Sequence, residues 1–304
     1  MTNRTLFAVL LVAAAQTACA QQEQEFATPQ AAVEALAQAA AANDQARLDE
    51  LFGPDYGAFR TAQQTDPALA ELRFRQFNAR LREFKSLVPQ GEDRYTLFVG
   101  ADAWPLSIPI VRSGNRWRFD GTEGVEEMRN RMVGANELNA IAVLDAIAGA
   151  QREYALADHD GDGVLEYAAR VLSTPGQRDG LYWEVDADDA DASAAPLDLL
   201  KTVADAVLGE RPEGAPFLGY YFRTLYSQGP SAPAGAYEYR INGHMVGGFA
   251  MIAWPAQYGE TGVMTFILSQ DHVIYQNDLG ADTAAIVGSI ASFDPVKGWA
   301  PVDD

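Results

Sequence analysis

Helical and strand patterns occur in separate blocks along this sequence, and the chain passes twice from helices to strands. Apolar residues recur at helical spacing as far as Val88, and short β-prone runs follow Gly91. A second helical region begins at position 123, and strand patterns dominate from Phe217 onward. Such blocks are typical of the α+β class, whereas regular alternation indicates parallel α/β sheets. The sequence therefore predicts an α+β fold with two domains, 26–122 and 123–304.

Local signals place the elements of the first domain. Thr28 is the predicted N-cap of a helix whose first residue is Pro29, because proline is tolerated there and threonine accepts the free backbone N–H groups. Gly53-Pro54 is expected to end a second helix. The full prediction is helices from 29, over 45–52 and over 67–88, then strands over 95–99, 106–111 and 116–119.

The second domain is predicted to pack one long helix on an antiparallel meander. The helix covers Glu137 to Asp158, with Leu138, Ile141 and Leu144 on its apolar face. Asn242-Gly243 is a strong signal for a tight hairpin. The expected strands are 217–226, 236–241, 245–254, 263–269 and 273–276, with an exposed acidic loop at 186–198 and shorter helices at 198–208 and 283–292.

The first twenty residues have the pattern of a bacterial export signal. Arg4 precedes an apolar run from Leu6 to Ala15, which is too short to span a bilayer. Ala18-Cys19-Ala20 fits cleavage by signal peptidase, which releases a soluble exported protein. Gln16-Thr17-Ala18-Cys19 fits lipidation at Cys19, although Gln16 stands where an aliphatic residue is usual. Both alternatives predict a periplasmic or outer-envelope protein, with no transmembrane segment in the mature chain.

The charge of the chain limits its partners. The formal net charge is −20, and a protein this acidic repels nucleic acid and anionic lipid surfaces. Cys19 is the single cysteine, so the mature fold holds no internal disulfide. An envelope protein or a small molecule is therefore the expected partner.

One short loop carries a candidate metal site. Carboxylates at positions 1, 3 and 5, glycine at 6, a carbonyl at 7 and a glutamate at 12 surround calcium in an EF-hand loop. Position 12 is an alanine here, which leaves Glu166, at position 9, as the substitute. The alternative is a solvated turn that caps the preceding helix. The predicted ligands are Asp158, Asp160, Asp162, the Val164 carbonyl and Glu166, with weak affinity on the order of 10⁻⁴–10⁻³ M.

Two resemblances concern the fold. The opening Phe26-Ala27-Thr28-Pro29 and the closing "NRWRFD" of the first domain are similar to the nuclear transport factor 2-like cone, also called the ketosteroid-isomerase-like fold. This resemblance implies a curled sheet with a pocket, at whose mouth Tyr56, Asp102 and Trp104 could lie. The long helix, acidic loop and meander resemble the globular part of pilin-like and pseudopilin-like proteins, some of which hold calcium in such a loop.

A third resemblance covers nearly the whole mature chain. The sequence is similar to an uncharacterised bacterial family, domain of unknown function 2950, which brings no known activity with it. The stretches that carry the resemblance are "FATPQAAVEAL", "RMVGANELNAI", "QREYALADHDGDGVLEYAARVLSTPGQRDGLYW", "GYYFRTLYSQGPSAPAGAYEY" and "WPAQYGETGVMTF".

No motif of a known catalytic class is found in the sequence. It contains neither a G-x-S-x-G elbow nor a phosphate-binding glycine loop, and its three histidines lack zinc-ligand spacing. We therefore expect a non-enzymatic binding or scaffold protein of the bacterial envelope, with a structural calcium ion. The alternative is a small-molecule-binding protein, or an isomerase-like or lyase-like enzyme, that uses a pocket in the cone-like domain.

Overall fold

The computed structural model describes residues 24–63, 67–183 and 215–302. The export signal, the acidic loop at 186–198 and the helix at 198–208 are predictions that lie outside these ranges. The chain divides into two compact units, Met1–Met128 and Arg129–Asp304. Helices and mainly antiparallel strands occur in both units, which confirms the α+β class.

The first unit begins with four helices. Thr28 is confirmed as the N-cap of the first helix, because its Oγ1 accepts the backbone N–H of Ala31 at 3.2 Å. Asp44 caps the second helix in the same way, through the backbone N–H of Arg47 at 3.0 Å. The helices are α1 (Pro29–Ala41), α2 (Gln45–Phe52), α3 (Pro54–Gln63) and α4 (Pro67–Glu83).

An antiparallel sheet follows these helices. Its strands are β1 (Lys85–Pro89), β2 (Arg94–Val99), β3 (Trp104–Pro105), β4 (Ile110–Ser113) and β5 (Arg116–Phe119). The order is β1-β2-β4-β5, and β3 pairs with the end of β2. Phe26 adds a bridge beside Trp117, with backbone N···O distances of 2.6 and 2.8 Å. The core of this unit contains Leu36, Leu51 and Phe119, among other apolar side chains.

The helix predicted over 45–52 is confirmed at both ends, α3 was not predicted, and the helix predicted over 67–88 is wrong at its C-terminal end. Gly53-Pro54 ends α2 as expected, but Pro54 also begins α3, since a proline is accepted in the first turn of a helix. The helix predicted over 67–88 ends at Glu83, and residues 85–89 pair with β2 instead. The apolar residues after Glu83 fit a helical period, but they form a strand because pairing with β2 overrides this local preference.

The predicted strand over 106–111 is also displaced. The ladder begins only at Ile110, because Pro109 has no backbone N–H to donate to a neighbouring strand. Leu106 contributes a single backbone hydrogen bond to Leu97, of 2.8 Å. The strand over 116–119 is confirmed at both ends.

A long helix, α5 (Gly121–Tyr154), crosses the boundary between the two units. It starts sixteen residues before the predicted Glu137 and stops four residues before Asp158. Leu144, Ile147 and Ala148 are buried in the core of the second unit, as predicted for that face. Leu138 was placed on the same face, but 69% of its surface is exposed.

The second unit is built on a five-stranded antiparallel sheet. Its order is β14-β13-β12-β11-β8, and two-stranded sheets β6-β7 and β9-β10 lie outside it. A helix, α6 (Thr283–Ser289), follows β13. The strands are β6 (Arg170–Leu172), β7 (Gly180–Tyr182), β8 (Tyr220–Leu225), β9 (Ser227–Gln228), β10 (Tyr237–Glu238), β11 (Ala250–Pro255), β12 (Met264–Ser269), β13 (Ile274–Asp278) and β14 (Ala300–Pro301).

The turn predicted at Asn242-Gly243 is present, but the two strands predicted to flank it do not pair with each other as a hairpin. Both residues have positive φ, as a tight turn requires, and the turn closes a single bridge from Ile241 to His244. The strand expected over 245–254 begins only at Ala250 and pairs with β8 and β12. The hairpin over 263–276 is confirmed, since β12 pairs with β13. None of the helices in the described part of the chain has the length and apolar character needed to cross a membrane.

Candidate functional site

The first unit contains a cavity of about 640 Å³. A cavity of this size falls within the range of small-molecule binding sites in proteins. Its walls come from α2, α3 and α4, from the segment before β4 and from Met128 of α5. We call this space the apolar cavity, because most of its lining consists of aromatic and aliphatic side chains.

Aromatic rings form much of the cavity wall. Phe52 stands edge-on to Tyr56, with ring centroids 4.8 Å apart, and edge-on to the core residue Phe119 at 5.0 Å. Edge-to-face pairs of this kind fix ring positions in a core. The other apolar lining residues include Leu48, Phe59, Phe74, Phe77, Leu106 and Ile108. A bound molecule in this space would therefore contact mainly carbon.

The charged groups of the lining differ in their partners. Arg60 forms a two-point ion pair with Asp49, with distances of 3.1 Å from Nε and 2.7 Å from Nη2. Glu71 is exposed and pairs with Arg75 at 2.8 Å. Arg73 is exposed and has no ion pair among the described residues. The mouth of the cavity thus presents one cation that the described residues do not neutralise.

The Tyr56 side chain lines the apolar cavity, as its predicted place near a pocket implies. Burial raises the pKa of its phenol above the ordinary value, with opposing effects from the charges of Arg60 and Asp49. Asp102 and Trp104, the other two residues predicted near a pocket mouth, do not line the cavity. Asp102 pairs with Arg80 at 3.3 Å, and Trp104 is half-exposed beside the same guanidinium.

The acidic loop of the second unit follows α5 directly, and Asp158 organises it. One oxygen of this carboxylate accepts the Gly161 N–H at 2.7 Å, and the other accepts the Gly163 N–H at 2.8 Å. Both glycines have positive φ, which residues with side chains rarely adopt. These hydrogen bonds, with that of Gly163 contributing most, hold the pKa of Asp158 below its ordinary value.

The predicted metal ligands fall into two groups that share Asp162. One oxygen each of Asp158, Asp160 and Asp162 lies within 4.8 Å of the others. Asp162 Oδ1 also accepts the Val164 N–H at 2.8 Å. Glu166 forms a second group with Asp162 and His244, and one possible ligand atom of each again lies within 4.8 Å of the others. The structure therefore brings all the predicted side chains to one loop, but Glu166 lies in a different group from Asp158 and Asp160.

Glu166 already has partners within the second unit. One of its oxygens accepts the Met245 backbone N–H, and the other lies 3.3 Å from His244 Nδ1. This hydrogen bond, followed by the charge of Asp162, raises the pKa of His244 above its ordinary value. The carboxylate of Glu166 thereby ties the end of the loop to residues 244–245.

His159 holds the start of the loop against α5. Its ring stacks on Tyr154 with centroids 4.1 Å apart, and Nε2 lies 3.0 Å from the Tyr154 carbonyl oxygen. Trp183 contacts the same imidazole, with centroids 5.4 Å apart. The loop is thus held at both ends by histidine contacts that the spacing of histidines in the sequence does not indicate.

Sequence reasoning missed most of the cavity because it missed α3. Phe52, Tyr56 and Phe59 stand at intervals of four and three residues, which is the signal of one helical face. The intervening Gly53-Pro54 indicates the end of a helix and gives no sign that a new helix begins at Pro54. With α3 recognised, this aromatic stripe would have predicted an apolar wall.

The fold and the cavity first define a class: an α+β protein whose first unit contains a partly open, apolar cavity of small-molecule size. A family model described as "Protein of unknown function (DUF2950)" matches residues 23–302, and the chain belongs to this family. The resemblance noted in the sequence is thereby confirmed. No curated protein and no solved structure matches the chain, so the cone-like and pilin-like resemblances stay predictions.

Proposed function

We propose that this protein is an exported, non-enzymatic binding protein that holds an apolar small molecule in the cavity of its first unit. The observation that carries the proposal is the cavity itself, with about 640 Å³ of space and a wall made largely of aromatic and aliphatic side chains. Apolar surface is stabilised when it is removed from water. The aromatic and aliphatic side chains of this wall therefore favour contact with an apolar ligand over contact with solvent.

The charged groups of the lining favour binding over catalysis. General acid–base chemistry needs a carboxylate or imidazole whose surroundings shift its pKa towards neutrality. Glu71 is the one carboxylate among the lining residues, and it is exposed and paired with Arg75. Asp49 lies near Tyr56, but both of its carboxylate oxygens accept hydrogen bonds from Arg60, and it does not line the cavity.

A fluorescence titration with the neutral apolar probe N-phenyl-1-naphthylamine tests this proposal. We expect saturable emission enhancement with the wild-type protein. Ala70 lines the cavity, so the bulk of Ala70→Trp should obstruct binding. Ala79 is exposed on the same helix and does not line the cavity, so Ala79→Trp is the matched control. Absence of saturable binding to wild type, or equal loss in both variants, would overturn the proposal.

A second proposal is that the acidic loop binds a structural calcium ion. Three exposed carboxylates, Asp158, Asp160 and Asp162, converge without a lysine or arginine in their group, and their mutual repulsion would fall when a cation binds. Calcium favours oxygen ligands and accepts irregular geometry. Glu166 would complete the site only by exchanging one of its present partners. The weak affinity expected, about 10⁻⁴–10⁻³ M, suits an extracytoplasmic protein.

Calorimetric titration of calcium, with thermal melts alongside, tests the second proposal. We expect binding that raises the melting temperature and that Asp160→Asn abolishes. Glu153 is an exposed carboxylate on α5 outside both ligand groups, so Glu153→Gln should leave binding unchanged. No heat and no stabilisation up to about 5 mM, well above the range of weak calcium modules, would reduce the loop to an acidic turn.

A further inference from the structure

Helix α4 is positively charged in a protein that is otherwise strongly acidic. It carries four arginines and two glutamates, whereas the whole chain has a net charge of −20. Arg75 pairs with Glu71, and Arg80 pairs with Asp102. Arg73 and Arg82 have no ion pair among the described residues. Of these two free guanidinium groups, only Arg73 lines the apolar cavity.

The position of Arg73 gives the cavity two chemically different ends. Arg73 is exposed, whereas Phe52 and Ile108 are almost fully buried at 3% and 1% exposure. The space therefore runs from a cationic mouth to a carbon-lined interior. An isolated cation at the edge of an apolar surface gains most from a ligand that carries the opposite charge at one end.

A second polar group of the lining is also available to a ligand. The Tyr56 hydroxyl has no hydrogen-bond partner among the described residues, although its ring packs on Phe52. A phenol can donate to a carboxylate or accept from a hydroxyl. The nearby Arg60 contributes little net charge, since Asp49 neutralises it at two points.

We propose that the ligand of the apolar cavity is an amphipathic anion, an apolar chain or ring system with one anionic head group of the fatty-acid type that Arg73 binds at the mouth. This inference rests on the proposed binding function and adds the chemical class of the ligand. The overall negative charge of the protein does not prevent it, because charges more than about 8 Å away are largely screened at physiological ionic strength.

Displacement of N-phenyl-1-naphthylamine by decanoate and by 1-decanol tests the inference, since the two have equal chain length and differ in charge. With wild type, we expect decanoate to bind about 3- to 10-fold more tightly than 1-decanol, as for a partly exposed charge-assisted contact. Arg73→Gln should remove this preference without weakening the binding of 1-decanol. Arg82→Gln, on the same helix but outside the cavity lining, should retain it.

The outcomes separate this inference from the function on which it rests. Equal affinity for decanoate and 1-decanol would overturn the anionic ligand and leave an apolar binding protein. A preference that survives Arg73→Gln would overturn the inference that Arg73 binds the anionic head group. Failure of both compounds and of the probe to bind would overturn the binding function. A preference that decreases with added sodium chloride and disappears in Arg73→Gln alone would establish the inference, because screening weakens a charged contact and not an apolar one.

Discussion

Gln151 illustrates how a single side chain joins the acidic loop to the long helix. It is 2% exposed; its Nε2 donates to the Ala168 carbonyl at 2.9 Å, and its Oε1 accepts the Ala168 N–H at 2.8 Å. Both backbone groups of a buried residue are satisfied in this way. The segment that follows the acidic loop is therefore fixed to α5 at Ala168.

Gln151→Leu should destabilise the protein strongly, since it leaves two buried backbone groups without partners. Each orphaned group costs about 1–3 kcal/mol, so we expect a loss on the order of 2–4 kcal/mol in the free energy of unfolding. Urea denaturation measures this difference. Arg152→Leu, at an exposed neighbouring position on the same helix, is the control and should change stability by roughly 0.5 kcal/mol or less. Equal effects of the two substitutions would show that the Gln151 hydrogen bonds add nothing.

Glu123 makes the stability of the first unit depend on pH. Its carboxylate forms a two-point ion pair with Arg94, one contact being 2.6 Å long, and this pairing lowers the pKa of Glu123. A lowered pKa in the folded state contributes stability above the unfolded value, about 4.3. That contribution is lost as the pH falls through the folded value.

Glu123→Gln should therefore lower stability at pH 7 and have almost no effect at pH 3. Both partners are more than a third exposed, so screening limits the difference at pH 7 to about 1 kcal/mol. Urea denaturation at the two pH values measures it. Glu126, exposed on the same helix and without an ion pair among the described residues, supplies the control Glu126→Gln. A loss as large at pH 3 as at pH 7 would contradict the electrostatic explanation.

At the scale of single residues, the sequence predicted what depends on near neighbours. The Thr28 cap could be predicted because its partner lies three residues away. The pairing of Gln151 with Ala168 could not, since the two are seventeen residues apart and only the fold brings them together. The same holds for His244, whose nearness to Asp162 follows from the path of the second unit.

At the scale of elements, glycines decide how closely α5 approaches its neighbours in the first unit. A Cβ at Gly121 would lie 1.6 Å from the carbonyl oxygen of Phe52, and one at Gly124 would lie 2.5 Å from the Ile108 side chain. The start of α5 thus packs directly on the end of α2 and on the segment before β4. Phe52 and Ile108 are also cavity residues, so this packing helps to define the cavity wall.

Gly121→Ala should destabilise the protein, because backbone atoms rather than a flexible side chain must move. We expect a loss of about 1–3 kcal/mol, as for other overpacked positions. Gly149 lies in the same helix, and a methyl group added there would meet no atom within 4 Å, so Gly149→Ala should stabilise by roughly 0.5–1 kcal/mol. Thermal or urea denaturation of both variants checks the opposite signs. Stabilisation by both substitutions would show that the close approach at Phe52 is absent.

Element boundaries were predicted less well than element types. The strand over 116–119 and the hairpin of β12 and β13 follow from β-prone runs separated by turns, and both predictions are confirmed. The helix expected to reach Val88 fails because pairing with β2 overrides a helical pattern. The long helix begins earlier than predicted. Its first turns contain glycines, which are unfavourable in an isolated helix but fit the packing at Phe52 and Ile108.

At the scale of the whole molecule, the α+β class could be predicted, whereas the apolar cavity could not. The class follows from the order of periodic segments, which is a property of the chain alone. The cavity depends on the distances between α2, α3 and α4, and no local sequence pattern encodes the distance between two helices. The acidic loop lies between these cases. Its predicted ligands lie close together along the chain, over 158–166, whereas the partners of Glu166 come from residues 244–245.

The most direct test of the central claim is a crystal structure of the protein soaked with 10-bromo-1-decanol, using the anomalous signal of bromine. This neutral compound tests the apolar cavity without depending on Arg73. We predict a bromine peak in the first unit, in contact with the apolar wall that includes Phe52, Phe77 and Ile108. A cavity filled by rearranged side chains, or a bromine peak only on the protein surface, would contradict the account.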